Sequence, residues 1–280
     1  MMKTLYVSDV DGTLYRAGVD HLRPQTAELF SRLLKEGVAL TVASGRNLYG
    51  VWELAHGCGI TLPVIAYNGA AIYDFASGRT LKTFPIPADS AAMLCEVFDR
   101  VGAPFKACTF VPQEGRCLTI RVNGYQTTMG LDGPVNPQTG LLLDEPVTAA
   151  HSREILCGEV LFVGTHGPRS QMQPLYEAAK DLAGVEAVLH CSPYHPDRWF
   201  VDIGSDKAGK GTAALFLKEQ LGAQELVTFG DNHNDLPMLR MADRSYTVPE
   251  APDEVRASVT GVLNDDPDCV LKFILEEIQR

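Results

Sequence analysis

The feature that most constrains this chain is a short apolar run that ends in two aspartates one residue apart. Residues 5–7 predict a strand buried on both faces, as in parallel sheets. Asp9 and Asp11 follow it, and open α/β sheets bind ligands beyond the carboxyl ends of their strands. Gly12 permits a sharp turn there and lets a ligand approach the backbone. Two carboxylates at this point suit a divalent cation, or a nucleophile beside an acid/base, although an Asx turn without chemistry gives the same pattern.

Composition narrows the class of protein. The chain has 280 residues, of which 45% are hydrophobic and 21% charged, which predicts one large globular domain or two smaller ones. No apolar run reaches the roughly 20 residues of a membrane helix, and the first residues lack a signal-peptide core. The seven scattered cysteines contain no C-x-x-C pair, which favours a reducing cytoplasm. A net charge of −11 argues against nucleic-acid and membrane partners, so a phosphate site would need local positive charge or a metal.

A helix and a second strand follow the opening strand. Residues 24–36 have helical apolar spacing, and residues 38–43 form a continuous apolar run that leads into Ser44, Gly45 and Arg46. A strand–helix–strand order predicts a right-handed parallel crossover, which brings Ser44 to the same rim as the two aspartates. The same alternation of strands and helices continues elsewhere in the chain. It predicts strands over 64–67, 226–229 and 246–248, and helices over 47–57, 211–221, 236–242 and 266–279.

The sequence pattern changes at about Pro85, and the α/β pattern returns only after Ile203. This part predicts a helix over 89–101, a hairpin of 105–111 and 117–123, a strand over 159–163, a helix over 171–182 and strands over 185–190 and 199–203, while 125–152 gives no firm periodicity. Hairpins with helices on one side suggest a separate α+β module. We therefore expect a parallel-sheet domain of residues 1–84 and 196–280, interrupted by an inserted module of residues 85–195.

A third polar stretch follows the strand at 226–229. It reads Gly230-Asp231-Asn232-His233-Asn234-Asp235, and Lys210 stands at the entry to the preceding helix. A calcium loop is rejected because Leu236 occupies the position at which an EF-hand needs glycine. His233 is interpreted as a loop or cap residue rather than a ligand, because magnesium sites favour oxygen ligands.

The ordered set resembles the haloacid dehalogenase (HAD) superfamily of phosphotransferases. The four stretches that carry the resemblance are Asp9-Val10-Asp11-Gly12-Thr13, Ser44-Gly45-Arg46, Lys210-Gly211 and the stretch from Gly230 to Asp235. The insert between the second and third stretches, together with Tyr67-Asn68-Gly69-Ala70, resembles the Cof-type, class IIB branch. The resemblance implies an α/β fold with a Rossmann-like parallel-sheet core and an α/β cap.

The resemblance also implies a Mg²⁺-dependent phosphatase that works through an aspartyl phosphate. Asp9 would attack phosphorus, and Asp11 would protonate the leaving oxygen and then activate water. Asp9, the backbone carbonyl of Asp11 and Asp231 would bind Mg²⁺, with Asp235 as a support or a further ligand.

The phosphate oxygens would be held by a second set of residues, namely Gly12, Ser44, Gly45, Lys210 and Asn234. The expected partner is a small phosphorylated metabolite, either a sugar phosphate or a phosphorylated cofactor. The protein itself is expected to be a monomer or a weak homo-oligomer. The cap would close over the crevice and choose the substrate.

Alternatives stay open at this point. A phosphomutase can use the same aspartate pair, and an inactive small-molecule sensor can share the fold. Residues 204–210 fit the P-loop pattern G-x-x-x-x-G-K, although Gly211 stands where the Ser/Thr magnesium ligand belongs. Ser44 could be a helix N-cap, and Lys210 a solvated surface lysine. Arg46 could pair with a carboxylate, and we leave it out of the predicted site.

Overall fold

A computed structural model describes residues 3–16, 22–125, 135, 142, 144–191 and 197–279. The chain divides into two compact units. The first unit is made of Met1–Leu81 and Gly209–Arg280, and the second unit is Lys82–Ala208.

The elements alternate along the chain. The strands are β1 Thr4–Ser8, β2 Ala39–Val42, β3 Val64–Ala66, β4 Ala71–Asp74, β5 Arg79–Thr83, β6 Phe105–Val111, β7 Arg116–Val122, β8 Asp144–Ala149, β9 Glu159–Gly167, β10 Val185–Cys191, β11 Trp199–Ser205, β12 Glu225–Phe229, β13 Arg244–Thr247 and β14 Gly261–Val262. The helices are α1 Pro24–Lys35, α2 Leu48–Cys58, α3 Ala88–Val101, α4 Arg169–Ala179, α5 Lys210–Leu221, α6 Leu236–Met241, α7 Asp253–Arg256 and α8 Cys269–Ile278.

The first unit is built on a parallel sheet. Its five described strands have the order β14-β13-β12-β1-β2, and every neighbouring pair is parallel. The central strand β1 is buried from Leu5 to Ser8, as expected for a strand covered on both faces. The predicted α/β core is therefore confirmed, and the carboxyl ends of β1, β2 and β12 lie side by side.

A small antiparallel sheet follows β2. It has the strand order β3-β4-β5, and Ala43 forms a parallel bridge with Ile65 of β3. The sequence pattern predicts β3 but neither β4 nor β5. The tight turn between β3 and β4 includes Tyr67 and Asn68 at positive φ. The residue types alone do not predict two successive residues in this conformation.

The second unit is an antiparallel sheet with helices. Its six described strands have the order β10-β11-β9-β6-β7-β8, in which only β7 and β8 pair in parallel. Alternate residues of these strands join α3 and α4 in one apolar core, which includes Phe98, Phe105 and Val163. The inserted α+β module is thus present.

The predicted domain boundaries differ from the observed ones. The predicted second segment of the first unit begins at residue 196, whereas the second unit continues to Ala208. The reason is that β11 pairs with both β9 and β10, and apolar alternation alone does not tell which sheet a strand joins. β8 was not predicted, because Pro146 interrupts its pattern. The rest of the segment 125–152 lies largely outside the described residues.

The described helices are too short or too polar for a bilayer. None of those within the described ranges combines the length and the apolar character that a membrane-crossing helix requires.

The aromatic centre of the second unit gives a test of this core. The rings of Phe98 and Phe105 stack with their centroids 4.1 Å apart, and both residues are fully buried. We expect Phe98→Ala to lower the free energy of unfolding of this unit by about 3–5 kcal/mol in urea denaturation, because it leaves a cavity. The control Met93→Ala changes an exposed residue of the same helix and should cost less than about 0.5 kcal/mol. Equal effects of the two variants would contradict the described core.

Candidate active site

Carboxylates from two neighbouring strand ends converge at the rim of the parallel sheet. Asp9 follows β1 and Asp231 follows β12, and the N–H of Asp9 donates to the carbonyl of Phe229, with N and O 2.8 Å apart. Asp9, Asp231 and Asp235 each offer a carboxylate oxygen, and these oxygens lie within 4.8 Å of one another. Asp9 and Asp235 are buried, and Asp231 is half-buried. We call these three residues the carboxylate cluster.

Lys210 lies inside the carboxylate cluster. Its Nζ donates to Oδ1 of Asp9 at 2.5 Å and to Oδ1 of Asp235 at 2.7 Å, and the side chain is only 2% exposed. Lys210 is the first residue of α5, so the helix start fixes where the side chain enters. The interpretation of Lys210 as a solvated surface lysine is therefore wrong.

Asp235 also holds the loop that follows β12. Its Oδ2 accepts hydrogen bonds from the backbone N–H groups of Asp231 and Asn232, each at 3.1 Å. A Cβ on Gly230 would lie 2.6 Å from the Cβ of Asp235, so the loop closes only with glycine there. Asp235 therefore contacts both Lys210 and the backbone that carries Asp231.

Gly12 and Thr13 fit around the carboxylate of Asp231. Gly12 has φ +99°, and a Cβ at this position would lie 2.2 Å from Oδ2 of Asp231. The hydroxyl of Thr13 donates to Oδ1 of Asp231 at 3.0 Å. Glycine is thus required at position 12 by backbone conformation and by space for Asp231. The sequence analysis did not assign a role to Thr13, which gave no signal beyond its place after Gly12.

The carboxylate cluster carries more negative than positive charge. Burial, together with Asp235 and Asp231, holds the pKa of Asp9 above its usual range even though Lys210 acts in the opposite direction. Burial and Asp235 likewise raise the pKa of Asp231. Burial lowers the pKa of Lys210, but Asp9 and Asp235 outweigh this effect and raise it, so Lys210 stays protonated.

This charge balance is what a divalent cation would correct. Three carboxylates face one ammonium group, and buried charges are stable only when they are paired. Carboxylate oxygens are also the ligands that Mg²⁺ prefers. The residues present therefore fit a magnesium ion by donor chemistry and by charge.

Asp11 is not part of the carboxylate cluster and pairs with Arg46 instead. Nε of Arg46 donates to Oδ2 of Asp11 at 2.9 Å, and Nη2 donates to Oδ1 at 2.6 Å. The Asp11 side chain is 55% exposed and that of Arg46 is 25% exposed. The guanidinium also lies over the ring of Tyr15, 5.0 Å from the centroid. Arg46, which the predicted site omitted, thus belongs to this rim, and its position directly after Ser44 and Gly45 was the available signal.

Ser44 and Gly45 lie on a loop fixed by the turn after β3. The Ser44 side chain is buried, and its Oγ accepts the N–H of Arg46 at 3.1 Å. A Cβ on Gly45 would lie 2.9 Å from Oδ1 of Asn68. The N-cap of α2 is Asn47, whose Oδ1 accepts the N–H of Gly50, so the alternative of Ser44 as the helix cap is wrong.

Asn234 and His233 lie on the exposed side of the turn that begins α6. His233 contacts Glu254, with Nε2 and Oε2 3.4 Å apart, which agrees with a loop residue. Asn234 lies next to Asp235 in the chain and is exposed.

The P-loop alternative is wrong. Gly204, the first glycine of the pattern, lies within β11 and is paired with Glu186 on one side and Phe162 on the other. A phosphate-binding loop needs free backbone N–H groups at this point. The Nζ of Lys210 is engaged with two carboxylates instead.

Relatives with similar sequences span nearly the whole chain. The pyridoxal phosphate phosphatase YbhA of Escherichia coli is 23% identical over 274 residues, which cover 96% of this chain and 97% of the relative. The phosphatase YwpJ of Bacillus subtilis is 23% identical over 290 residues, covering 94% of this chain and 95% of the relative.

Solved structures share the fold. A haloacid dehalogenase-like hydrolase from Bacteroides thetaiotaomicron has a TM-score of 0.75 at 19% identity and covers 99% of this chain and 100% of its own. A sugar phosphatase of HAD subclass IIB has a TM-score of 0.70 at 17% identity and covers 99% of each chain.

A family model places the chain among these proteins. The model for haloacid dehalogenase-like hydrolases matches residues 6–124 and 155–274, which include all four stretches that carried the resemblance. The chain therefore belongs to the haloacid dehalogenase-like hydrolase family and is an enzyme.

Proposed function

We propose that this chain is a Mg²⁺-dependent phosphatase that hydrolyses small phosphomonoesters through an aspartyl phosphate on Asp9. The observation that carries the proposal is the buried contact between Asp9 and Lys210 inside the carboxylate cluster. A carboxylate at a strand end can act as a nucleophile toward phosphorus, and a neighbouring cation neutralises the charge on the phosphate oxygens.

The reaction has two steps. In the first, an oxygen of Asp9 forms a bond to phosphorus while the bond from phosphorus to the leaving oxygen breaks, and Asp11 gives its proton to that oxygen. In the second, water forms a bond to phosphorus, Asp11 takes the proton from the water, and the Asp9–phosphorus bond breaks to release phosphate. Asp11 thus acts first as an acid and then as a base.

The metal ligands in this proposal are Asp9, the backbone carbonyl of Asp11 and Asp231, with Asp235 as a support or a further ligand. When bound there, Mg²⁺ supplies positive charge that neutralises the transferring phosphoryl oxygens. Asp235 holds Lys210 and the Asp231 backbone at the same time, so it orients both groups.

In this proposal the phosphate oxygens are held by groups of the same rim, of which Lys210 contacts Asp9 directly. The ammonium of Lys210 and the hydroxyl of Ser44 are both buried, which strengthens their interaction with an anion. Further contacts in the proposal come from Gly12, Gly45 and Asn234.

The substrate class rests on the relatives. One named relative is a pyridoxal phosphate phosphatase, and one named fold neighbour is a sugar phosphatase. Both names describe small phosphomonoesters, and we propose the same class here. The groups named above contact only metal and phosphate, so we assign the choice between substrates to the second unit, Lys82–Ala208, as its cap.

Metal dependence is the first test. Purified protein should release phosphate from small phosphomonoesters, stop when EDTA is added and recover with Mg²⁺, because the carboxylate cluster is then neutralised again. Asp9→Asn should abolish turnover while the circular dichroism spectrum stays unchanged. Appreciable metal-free activity would falsify the mechanism, and an isomerised sugar phosphate in place of free phosphate would indicate a phosphomutase.

Stability should respond to Mg²⁺ in a pH-dependent way. The folded-state pKa of Asp9 is raised, so without metal the folded protein loses stability as pH rises through that value and the carboxylate ionises. Mg²⁺ binds the ionised form, and we expect it to raise the Tm more at pH 8.5 than at pH 6. Calorimetry with Asp231→Asn, which should respond less, is the control; a larger Tm shift at pH 6 would contradict the described cluster.

Lys210 should be needed for every substrate. We expect Lys210→Ala to lower kcat by about 10²–10³ for each phosphomonoester tested, because it removes the buried cation at Asp9. Lys218→Ala, on the same helix and paired with Asp243 at the surface, should retain activity. A loss confined to some substrates would assign Lys210 to the leaving group instead.

A further inference from the structure

We propose that Arg46 is a positioning residue that orients the Asp11 carboxyl for proton transfer to the leaving oxygen. This inference rests on the proposed function, in which Asp11 is the acid of the first step. It concerns a residue that belongs to the second of the four stretches but that the predicted site left out.

The first support is the geometry of the pair. Two separate nitrogens of Arg46 reach the two oxygens of Asp11, at 2.9 and 2.6 Å. A two-point contact between a guanidinium and a carboxylate fixes the plane of the carboxylate as well as its distance. A lysine or a water molecule cannot impose that plane.

The second support is that Arg46 is itself held from several sides. Its N–H donates to Oγ of Ser44 at 3.1 Å, and its carbonyl accepts the N–H of Tyr67 at 2.9 Å. Its guanidinium lies over the ring of Tyr15, 5.0 Å from the centroid. The side chain is 25% exposed, so most of its surface is covered by neighbouring groups.

Asp11, in contrast, lies on an exposed turn. Its side chain is 55% exposed, and the turn closes through the N–H of Gly12, which donates to the carbonyl of Tyr15 at 2.6 Å. The same Tyr15 packs its ring against Arg46. The backbone therefore fixes where Asp11 is, and Arg46 fixes how its carboxyl group is turned.

The consequence for the reaction concerns one proton. In the first step one oxygen of Asp11 carries the proton and gives it to the leaving oxygen as the phosphorus–oxygen bond breaks. The hydrogen bond from Arg46 to that Asp11 oxygen weakens while the oxygen carries the proton, and the other oxygen keeps its bond from Arg46, so the carboxyl group stays oriented. Arg46 itself neither gains nor loses a proton. Loss of Arg46 should matter most where the leaving oxygen needs that proton, and least where the leaving group departs as a stable anion.

The experiment compares leaving groups on the full chain with Mg²⁺. We expect Arg46→Ala to lower kcat/KM for an alkyl phosphate at least about tenfold more than for p-nitrophenyl phosphate. The reason is that an alkyl leaving group needs the proton from a correctly oriented Asp11, whereas p-nitrophenolate leaves as a stable anion. Arg46→Lys keeps the charge but not the two-point contact, and should show a smaller loss with the same preference. Arg32→Ala, which removes an exposed pair with Glu36 on α1, is the matched control and should behave as wild type.

Two further measurements separate positioning from a merely structural role. Added guanidinium chloride at millimolar concentration should restore alkyl phosphate hydrolysis by Arg46→Ala more than the same concentration of sodium chloride does. In an Asp11→Asn background, Arg46→Ala should add little further loss, because the group it orients is gone.

Several results would overturn the proposal. These are an equal loss for both esters, a gain in activity on removing Arg46, or additive losses with Asp11→Asn. If the wild type released phosphate from neither ester, the proposed function would be wrong, and the inference that rests on it would be wrong as well. A uniform loss in an active enzyme would instead reject the role of Arg46 alone.

Discussion

The contact between Lys210 and two buried carboxylates is the interaction on which the rest of the site depends. Asp9 is 201 residues away from Lys210 in the chain, and Asp235 is 25 residues away. Removing these charges from water is costly, and their mutual attraction compensates only when the distances are short and the remaining oxygens are hydrogen-bonded. The fold meets this condition because β1, β12 and the start of α5 meet at one edge of a parallel sheet, with Oδ2 of Asp235 held by backbone N–H groups.

The start of α5 is approached by the backbone of the turn at Gly69, which has no side chain. Gly69 has φ +96°, and a Cβ there would lie 2.2 Å from the carbonyl carbon of Gly209. Tyr67 and Asn68, just before it, also have positive φ. Such conformations are unfavourable for residues with side chains and persist only where surrounding contacts hold them. This one turn approaches the residue before Lys210 and also donates hydrogen bonds to the Ser44–Arg46 loop, so it couples the two sides of the rim.

The place of the carboxylate cluster at the end of the parallel strands could be predicted from topology, whereas some boundaries of the fold around it could not. Parallel strands expose their carboxyl ends at one edge, so Asp9, Ser44 and Asp231 could be brought together from strand order alone. The domain boundary predicted at residue 196 differs from the observed one because the apolar alternation of β11 would suit either sheet. In the structure β11 pairs with β9 of the second unit. The pairing of Arg46 with Asp11 was open for a similar reason, since a guanidinium after a strand has many possible partners. Only three-dimensional contacts decide such questions.

Charge also implies an order of binding under the proposed function. The whole chain carries a net charge of −11, so its overall field repels a phosphate ester. Within the carboxylate cluster, three acidic side chains face the single ammonium of Lys210, and Arg46 is occupied by Asp11. A phosphate dianion that arrived first would meet excess negative charge in a buried, low-dielectric place, where repulsion is strongest. Asp9, Asp231 and the backbone carbonyl of Asp11 would hold a divalent cation whose two positive charges would reverse that balance and leave Lys210 to the phosphate oxygens. The acidic cluster is thus unfavourable to the substrate by itself and favourable once it holds the metal.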